Sequence, residues 1–274
     1  PYLDYIKLRS KTMAQAGKIP SFFPTHLEHV KTNNFRNINI AKQKDEKLPV
    51  LIFSHGITGS RLLHQILFES LASKGIVVFA LDHSYDANIS IFPDSTIADY
   101  RSDLTGNTDS LQLRKKQINT RAEDISFVFD QIEKIQKNKI ISKLNNSLDL
   151  NKISVGGHSY GGATAIYASS LDNRIISCIA LDGWFSPLPD EVLSSGINIP
   201  ILCLGRPSWE NSDYPLNYDK LTALIKNSKS DKFNIFIKNT LHLDFTDIPV
   251  FSPLIKYVMD VGSNPRHLST NLVN

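Results

Sequence analysis

Short, nearly continuous runs of apolar residues, rich in Val and Ile, are separated along the chain by longer amphipathic segments. Strands covered on both faces show such continuous apolarity, whereas a half-exposed strand alternates between apolar and polar residues. The pattern therefore predicts a mostly parallel central sheet flanked by helices on both faces. Its six strands are predicted at Leu48–Phe53, Ile76–Leu81, Ile153–Val155, Ile175–Leu181, Ile199–Leu204 and Phe233–Ile237.

Helical segments are predicted between these strands. The longest of them has an apolar stripe with helical spacing, formed by Ile118, Ala122, Ile125, Phe129, Ile132 and Ile135. Strands that alternate with helices indicate a doubly wound α/β fold. The five helices are predicted at Leu62–Ser73, Ile118–Lys137, Gly162–Ser170, Tyr218–Asn227 and Pro253–Val261.

Two parts of the chain lack such a pattern. The first 48 residues are predicted to contain one or two approach strands, and residues 83–117 form a long polar connection. Connections longer than ~15 residues inside a compact domain usually carry function or cover a site. No repeat or Pro/Gly/Ser-rich linker divides the chain, so we expect a single domain over residues 1–274.

The composition excludes several classes of protein. With 41% hydrophobic and 21% charged residues, the chain does not have the composition of a disordered protein. Its net charge of +3 is small and scattered, so no nucleic-acid partner is expected. Neither a signal peptide nor a run of the ~20 apolar residues that a transmembrane helix needs is recognisable. The sequence therefore predicts a soluble protein, either cytoplasmic or a secreted mature form.

Gly157-His-Ser-Tyr-Gly161 fits the pattern G-x-S-x-G, in which a serine lies on a tight turn between a strand and a helix. The predicted strand Ile153–Val155 leads into the motif, and a helix of small residues follows it. Glycines are needed on both sides because a Cβ would not fit in so tight a turn. The helix N-terminus faces the negative charge that develops in acyl transfer. We therefore interpret Ser159 as a nucleophile; the alternative is a glycine turn with an incidental serine.

A serine nucleophile needs a histidine base, which in chains with this motif follows the acid. His242 comes just after the last predicted strand, at the carboxyl end of the sheet where ligands bind. His267 is the other histidine late in the chain, but it lies in the C-terminal tail with nothing predicted to hold it. We favour His242 as the base.

The acid that orients this base is expected at the end of a strand. Asp182 directly follows the predicted strand Ile175–Leu181, whereas the next strand end offers Gly205-Arg-Pro and then the loop acids Glu210 and Asp213. An aspartate at a strand end can also simply form a turn. We favour Asp182 as the acid and keep Asp213 as the alternative.

Ser54-His-Gly56 follows the first predicted strand, where proteins with this serine motif carry a second backbone donor for the oxyanion. The N–H groups of Ile57 and Tyr160 are therefore the predicted oxyanion donors. His55 would suit a metal, but no other His, Cys or acid stands at a ligand spacing from it, and Asp82-His83 is a separate strand end. We expect that neither a metal nor an organic cofactor is needed.

Several strings together resemble the platelet-activating factor acetylhydrolases, which are calcium-independent serine esterases of the phospholipase A type. They are Phe53-Ser-His-Gly, Leu71-Ala-Ser-Lys-Gly-Ile-Val-Val, Gly156-Gly-His-Ser-Tyr-Gly-Gly-Ala-Thr, Ile179-Ala-Leu-Asp-Gly-Trp-Phe-Ser-Pro-Leu and His242-Leu-Asp-Phe-Thr-Asp. The resemblance runs from about Ile19 to the C-terminus. The Leu-Asp-x-Trp string is more specific than the serine motif, which many hydrolases share. In one departure, Ser84 stands where the family usually has a basic residue.

The resemblance implies an α/β-hydrolase fold with Ser159, Asp182 and His242 as catalytic triad and Ile57 and Tyr160 at the oxyanion positions. It implies hydrolysis of short acyl esters of phospholipid-like substrates, with contact to a membrane or lipid aggregate. A broad-specificity carboxylesterase, of the dienelactone-hydrolase or polyester-cleaving kind, is the alternative. A third hypothesis, a non-catalytic hydrolase fold used for binding, usually goes with a missing nucleophile or base, and both candidates are present here.

The segment after Asp182 bears on the substrate. Only residues 183–199 separate it from the next predicted strand, too few for a large cap domain. They include Trp184 and Phe185, which we predict to be apolar walls of the substrate site; the alternative is ordinary packing. An uncapped site of this kind would take a small acyl group and leave the bulky part of the ester outside.

Overall fold

A parallel sheet of six strands forms the centre of the protein, which a computed structural model describes over residues 2–41, 46–101 and 110–265. The strands of the described chain are β1 (Leu48–Ser54), β2 (Val77–Leu81), β3 (Ile89–Ile91), β4 (Ile97–Asp99), β5 (Leu148–His158), β6 (Cys178–Leu181), β7 (Ile201–Gly205) and β8 (Lys232–Phe236). The sheet has the order β2-β1-β5-β6-β7-β8, and β3 and β4 form a separate antiparallel hairpin. All six predicted strands are therefore confirmed, each with its bounds shifted by a few residues.

Helices connect the strands and cover the sheet. They are α1 (Ile6–Gly17), α2 (Gln65–Ser73), α3 (Ser110–Gln136), α4 (Tyr160–Leu171), α5 (Asp190–Ser195), α6 (Asn217–Asn227) and α7 (Ile248–Phe251), with 3-10 turns at Phe23–Glu28, His242–Phe245 and Ile255–Tyr257. Within the described ranges, no helix combines the length and the apolarity that a membrane span requires.

The side chains of β1 show that helices pack on both faces of the sheet. Val50 and Ile52 point into the larger core cluster, which contains the apolar faces of α3 and α4. Leu51 and Phe53 point the other way, into a cluster that α2 completes with Phe68. Successive residues of a strand face opposite sides, so a strand covered on both sides must be apolar throughout. The doubly wound α/β arrangement predicted from this continuous apolarity is confirmed.

The edge strand β8 departs from the prediction that both faces are covered. All five of its residues are exposed, including Phe233 and Ile235. It is paired through β7 only. Continuous apolarity thus identified the strand correctly, but did not show that it lies at an edge.

The N-terminal segment corrects a second prediction, because it is helical and contains no approach strand among its described residues. The buried face of α1 consists of Arg9, Ser10 and Ala14. Arg9 is tolerated inside because its Nε donates to Asp4 Oδ1 over 2.6 Å. Since the buried face is mostly polar, no apolar stripe announces this helix in the sequence.

Two further segments also differ from expectation. The predicted helix Pro253–Val261 is only a 3-10 turn over Ile255–Tyr257. Ser252, which precedes Pro253, has extended backbone with φ −153° and ψ 145°, and this ends α7 at Phe251. In the polar connection 83–117, the described residues contain the hairpin β3–β4 and the first turns of α3, which the sequence placed later. Residues 102–109 of that connection lie outside the described part.

The turn between β5 and α4 carries the central serine in a backbone conformation that non-glycine residues avoid. Ser159 has φ 57° and ψ −122°. A Cβ on Gly157 would overlap the carbonyl oxygen of Gly161, and a Cβ on Gly161 would overlap the carbonyl oxygen of Ser54 at the end of β1. Both glycines are therefore required by close backbone approach, as the sequence motif predicted.

Gly161→Ala should prevent stable folding of the site, because the new Cβ would collide with backbone that cannot rotate away. The matched control is Gly156→Ala near the end of β5, whose Cβ would meet its nearest neighbours at 3.4 Å, an ordinary contact. We expect the yield of folded protein and the thermal midpoint to fall sharply for Gly161→Ala and to change little for Gly156→Ala. Equal stability of the two variants would contradict this account of the turn.

A buried carboxyl group connects the start of the described chain to the region before α7. Asp247 is 3% exposed, and its Oδ2 accepts a hydrogen bond from Tyr2 Oη at 2.6 Å and from the backbone N–H of Ile66 at 3.3 Å. Burial raises the pKa of Asp247 to about 7, and these hydrogen bonds offset the burial only in part.

The raised pKa of Asp247 predicts a pH-dependent stability. Between about pH 4 and pH 7 the folded state holds a proton that the unfolded state, with an ordinary carboxyl pKa of ~3.9, has released. Its contribution to the free energy of unfolding therefore falls as pH rises through this window. Thermal midpoints at pH 5 and pH 8 should show Asp247→Asn gaining on the wild type at the higher pH. Substitution of the exposed Asp213 by Asn is the control, and a constant difference for Asp247→Asn would contradict the prediction.

Candidate active site

The structure brings Ser159, His242 and Asp182 into one hydrogen-bonded chain. His242 Nε2 lies 2.9 Å from Ser159 Oγ, and His242 Nδ1 lies 2.6 Å from Asp182 Oδ2. An ionised carboxylate only accepts hydrogen bonds, so Nδ1 carries the proton and donates it to Asp182. Nε2 is then left with its lone pair directed at the serine hydroxyl. This arrangement allows His242 to accept the proton of Ser159.

The carboxylate of Asp182 is fully enclosed and held at both oxygens. It follows β6 with φ 40°, and its side chain is 0% exposed. Its Oδ1 accepts hydrogen bonds from the backbone N–H of Arg206 at 3.1 Å and from Trp209 Nε1 at 3.3 Å. Arg206 Nε also lies 3.2 Å from Oδ2, a charge contact without hydrogen-bond geometry. These contacts hold the carboxylate of Asp182 in a single orientation, in which Oδ2 faces His242.

The loop that carries His242 is fixed by a second aspartate. Asp244 is 3% exposed, and its Oδ2 accepts from the backbone N–H groups of Leu241 at 2.8 Å and Gly262 at 2.6 Å. The left-handed backbone of Asn239, with φ 60°, turns the chain after β8 towards the site. His242 therefore starts its 3-10 turn from a defined position.

His158, next to the serine in sequence, stacks on the base. Its ring centroid lies 4.6 Å from that of His242, and its Nε2 lies 3.1 Å from the backbone carbonyl oxygen of His242. A carbonyl accepts, so Nε2 of His158 carries a proton and donates. Burial, with a smaller contribution from the charge of His242, holds the pKa of His158 well below its usual range. His158 is therefore a neutral support for His242.

The predicted oxyanion donors lie on the two segments that meet at Ser159. Tyr160 is the first residue of α4, and Ile57 follows Gly56, whose added Cβ would lie 3.1 Å from Ser159 Cβ. Among the hydrogen bonds between described residues, none uses the backbone N–H of Ile57 or of Tyr160. Both N–H groups are thus available to a ligand bound at the serine.

A cavity of about 170 Å³ lies beside Ser159 and His242. Its wall nearest the serine comes from the loop after β1 and from the turn at His242. Most of the remaining wall comes from segments at the two ends of the described chain, through Met13, Phe23, Pro24, Phe251, Ile255 and Met259. The site is covered by these short segments, and β6 and β7 are joined by a connection in which α5 is the only helix.

The prediction that Trp184 and Phe185 are walls of the substrate site is wrong, because the structure places both side chains in the core. They are 5% and 1% exposed and belong to the large cluster under the sheet. The ring of Trp184 packs against Tyr160 and Tyr214. Neither residue lines the cavity beside Ser159. A strand end adjoins both the site and the core, and the sequence did not show which way these side chains point.

Of the three alternative candidates for the site, Asp213 and His55 lie within the described residues. Asp213 is exposed and makes no hydrogen bond to His242 within the described residues. His267 lies outside the described residues. His55 is buried, with Nδ1 2.6 Å from the carbonyl oxygen of Gly56. In the described ranges no group of three or more His, Cys, Asp or Glu side chains is arranged to hold a metal ion.

Sequence reasoning missed the contacts of Arg206 and Trp209 and the N-terminal part of the cavity wall. A signal for Arg206 was available, since it directly follows β7 and the carboxyl ends of neighbouring parallel strands meet at one edge of the sheet. The N-terminal wall gave no signal, because its helix has no apolar stripe.

Comparisons with known proteins identify a family and several relatives of the chain. The family described as "Platelet-activating factor acetylhydrolase, isoform II" matches residues 11–261. The platelet-activating factor acetylhydrolase of Canis lupus familiaris is 32% identical over 90% of this chain and 59% of its own length. The protein of the same name from Gallus gallus is 28% identical over 78% of this chain and 56% of its own length. The chain thus spans less than two thirds of these relatives.

A solved structure also resembles the fold. The ferulic acid esterase from Streptomyces cinnamoneus superimposes with a TM-score of 0.67 and 27% identity, over 83% of this chain and 64% of that chain. The architecture and the family match together show that the chain has the α/β-hydrolase fold. Since the family match covers most of its length, the chain belongs to the platelet-activating factor acetylhydrolase isoform II family.

Proposed function

We propose that the protein is a serine carboxylic-ester hydrolase that cleaves short acyl esters of phospholipid-like substrates. The observation that carries the proposal is the unbroken chain Asp182–His242–Ser159, with His242 Nε2 at 2.9 Å from the serine hydroxyl. A binding protein on this fold would have no need for a correctly oriented base.

In the first half of the reaction, Ser159 Oγ forms a bond to the carbonyl carbon of the ester while its proton passes to His242 Nε2. The carbonyl electron pair moves onto oxygen, and the resulting oxyanion accepts hydrogen bonds from the N–H groups of Ile57 and Tyr160. The carbon–oxygen bond to the leaving group then breaks, and the alcohol departs with the proton from His242. An acyl-enzyme on Ser159 remains.

In the second half, a water molecule attacks the acyl-enzyme while His242 takes its proton. The second oxyanion collapses, the proton returns to Ser159 Oγ, and the carboxylic acid leaves. Asp182 holds His242 in the required tautomer and stabilises its positive form through the 2.6 Å hydrogen bond. No step of this sequence calls for a metal or an organic cofactor.

The size of the cavity supports a short acyl group. An apolar cavity of about 150 Å³ is large enough for a molecule the size of benzene, and the cavity beside Ser159 has about 170 Å³. An acetyl or other short acyl group fits entirely inside, whereas a long acyl chain would have to leave through the mouth. The names of the curated relatives, which specify an acetylhydrolase, agree with this limit.

Exposed apolar side chains adjoin the cavity wall and support contact with a lipid surface. Phe22 is 72% exposed and precedes the wall residue Phe23. Leu254 and Tyr257, 58% and 74% exposed, lie close in the chain to the wall residue Ile255. An ester whose bulky part stays in a membrane or micelle could present its acyl group to a site with such a rim.

Substitutions in the triad test the proposed mechanism. We expect Ser159→Ala and His242→Ala each to lower kcat on the order of 10⁶-fold, because triad members act as a unit. Asp182→Asn should lower kcat about 10⁴-fold, since the amide favours the wrong tautomer of His242. Hydrolysis of an acetate ester and covalent labelling of Ser159 by a fluorophosphonate measure both effects.

The exposed Asp213 offers a matched control, and Asp213→Asn should keep the activity and labelling of the wild type. If Asp182→Asn were fully active and Asp213→Asn inactive, the acid would be Asp213 and the assignment to Asp182 would be wrong. A wild-type protein that neither hydrolyses esters nor reacts at Ser159 would favour the non-catalytic alternative.

A series of acyl lengths tests the substrate class. We expect strong hydrolysis of an acetyl phospholipid and little of a palmitoyl phospholipid, with simple acetate and hexanoate esters as references. Met259 borders both the cavity and the larger groove beside Arg206 and Tyr257. Met259→Ala should therefore join the two spaces and raise the relative rate on longer esters, while Met259→Leu should not.

Equal hydrolysis of both phospholipids would refute the limit on acyl length. Turnover of the simple esters alone, with neither phospholipid cleaved, would favour the broad-specificity carboxylesterase, the alternative to which the resemblance with a ferulic acid esterase points.

A further inference from the structure

We propose that Arg121 is a positioning residue for the oxyanion site, because its one guanidinium contacts both segments that carry the proposed N–H donors. The inference rests on the proposed function and concerns how the backbone around Ser159 is held. Arg121 lies on α3, is 2% exposed, and touches the loop after β1 on one side and the ring of Tyr160 on the other.

On the first side, Arg121 fixes two successive carbonyl groups. Its Nη1 donates to the carbonyl oxygen of His55 at 2.7 Å, and its Nη2 lies at 3.5 Å from that of Gly56. The Gly56 oxygen also accepts from His55 Nδ1 at 2.6 Å and from the N–H of Gly59 at 3.1 Å. This carbonyl is therefore anchored from three directions.

The direction of the Gly56 carbonyl determines where the donor at Ile57 points. In a planar trans peptide the C=O and the following N–H point in opposite directions. Holding the Gly56 oxygen towards Arg121 therefore turns the N–H of Ile57 away from α3. Gly56 itself lies against Ser159, since a Cβ added to it would be 3.1 Å from the serine Cβ.

On the second side, Arg121 holds the residue that carries the other donor. Its Cζ lies 4.6 Å from the ring centroid of Tyr160, a cation–π contact. The Tyr160 hydroxyl donates to the backbone carbonyl oxygen of Arg114 at 2.6 Å, and the side chain is fully buried. With ring and hydroxyl both fixed to α3, the first residue of α4 has little freedom to shift.

The carboxylate of Asp86 compensates the buried positive charge of Arg121. Arg121 Nε donates to Asp86 Oδ2 at 2.6 Å, and Arg114 Nη1 donates to Oδ1 at 3.2 Å. Burial alone would raise the pKa of Asp86, but the charges of Arg121 and Arg114 outweigh it and hold that pKa below its ordinary value. An ionised Asp86 in turn fixes the guanidinium plane of Arg121, so the direction of its forked donors is set.

The test compares Arg121→Met with Arg174→Met. Arg174 is a matched control because it also stacks on an aromatic ring, with Cζ 4.1 Å from the centroid of Phe129, and also pairs with carboxylates. Each variant is assayed for kcat and KM on an acetate ester, for its thermal midpoint, and for two inhibitors. A trifluoromethyl ketone forms an oxyanion adduct with Ser159, and the alcohol obtained by its reduction has a similar shape but cannot.

We expect Arg121→Met to lower kcat at least about tenfold, less than the 10²–10³-fold loss for removing a donor outright, with KM changed less than about twofold. Inhibition by the ketone should weaken by a similar factor, while inhibition by the alcohol stays constant. A merely structural role would lower the thermal midpoint and leave the ratio of the two inhibition constants unchanged. Arg174→Met should change stability only.

Arg121→Lys keeps the charge but not the fork, and it replaces Arg121→Met if that variant does not fold. We expect it to show the same selective loss of ketone inhibition, reduced in size. Wild-type kcat and wild-type ketone inhibition in a folded Arg121 variant would overturn the inference. The proposed function is judged separately, by activity and fluorophosphonate labelling of the wild type against Ser159→Ala.

Discussion

The close contact between the start of α4 and the end of β1 is the constraint on which the site depends. Gly161 approaches the carbonyl oxygen of Ser54 so closely that no Cβ fits between them. This contact fixes the distance between the two backbone segments around Ser159. Since one proposed oxyanion donor lies on each segment, their separation follows from a packing requirement between backbones. Side chains such as that of Arg121 then have to set only the orientation of the peptide groups.

Burial also keeps the histidines near His242 uncharged. Positive charge on them would oppose the positive form of His242 that the proposed mechanism requires. A second charged imidazole about 4 Å away would raise the free energy of the positive form of His242 by about 4 kcal/mol at an effective dielectric constant of 20. The ring of His158 is at 4.6 Å, and burial keeps it neutral. Burial likewise lowers the pKa of His64 to about 3. Both rings thus add shape without charge, and His158 also supplies the hydrogen bond to the carbonyl oxygen of His242.

Most of the sheet and the chain of three polar residues could be predicted from the sequence, because both impose strict local requirements. A strand covered on both faces must be apolar throughout, and the serine turn must have glycine at 157 and 161. The helix α1 could not be predicted, since its buried face contains the polar residues Arg9 and Ser10, and the charge of Arg9 is paired with Asp4. The side-chain directions of Trp184 and Phe185 depend on tertiary packing, which no local pattern records. Arg121 lies three residues after Ile118, on the buried stripe of α3. A charged residue at this spacing on a core-facing stripe was therefore a sequence signal for a buried ionic contact.

This contrast has a physical basis that extends to substrate selection. The proton transfers require defined distances and therefore particular residue types, which leave recognisable strings. The cavity wall requires only apolar volume at the right place, and Met13, Phe23, Ile255 and Met259 meet that need from two segments far apart in the chain. Many other apolar residues would serve equally well. The proposed reaction chemistry can therefore be predicted from the strings around Ser159, Asp182 and His242. The proposed limit on acyl length depends instead on the short segments from both ends, which form the cavity wall only in the folded chain.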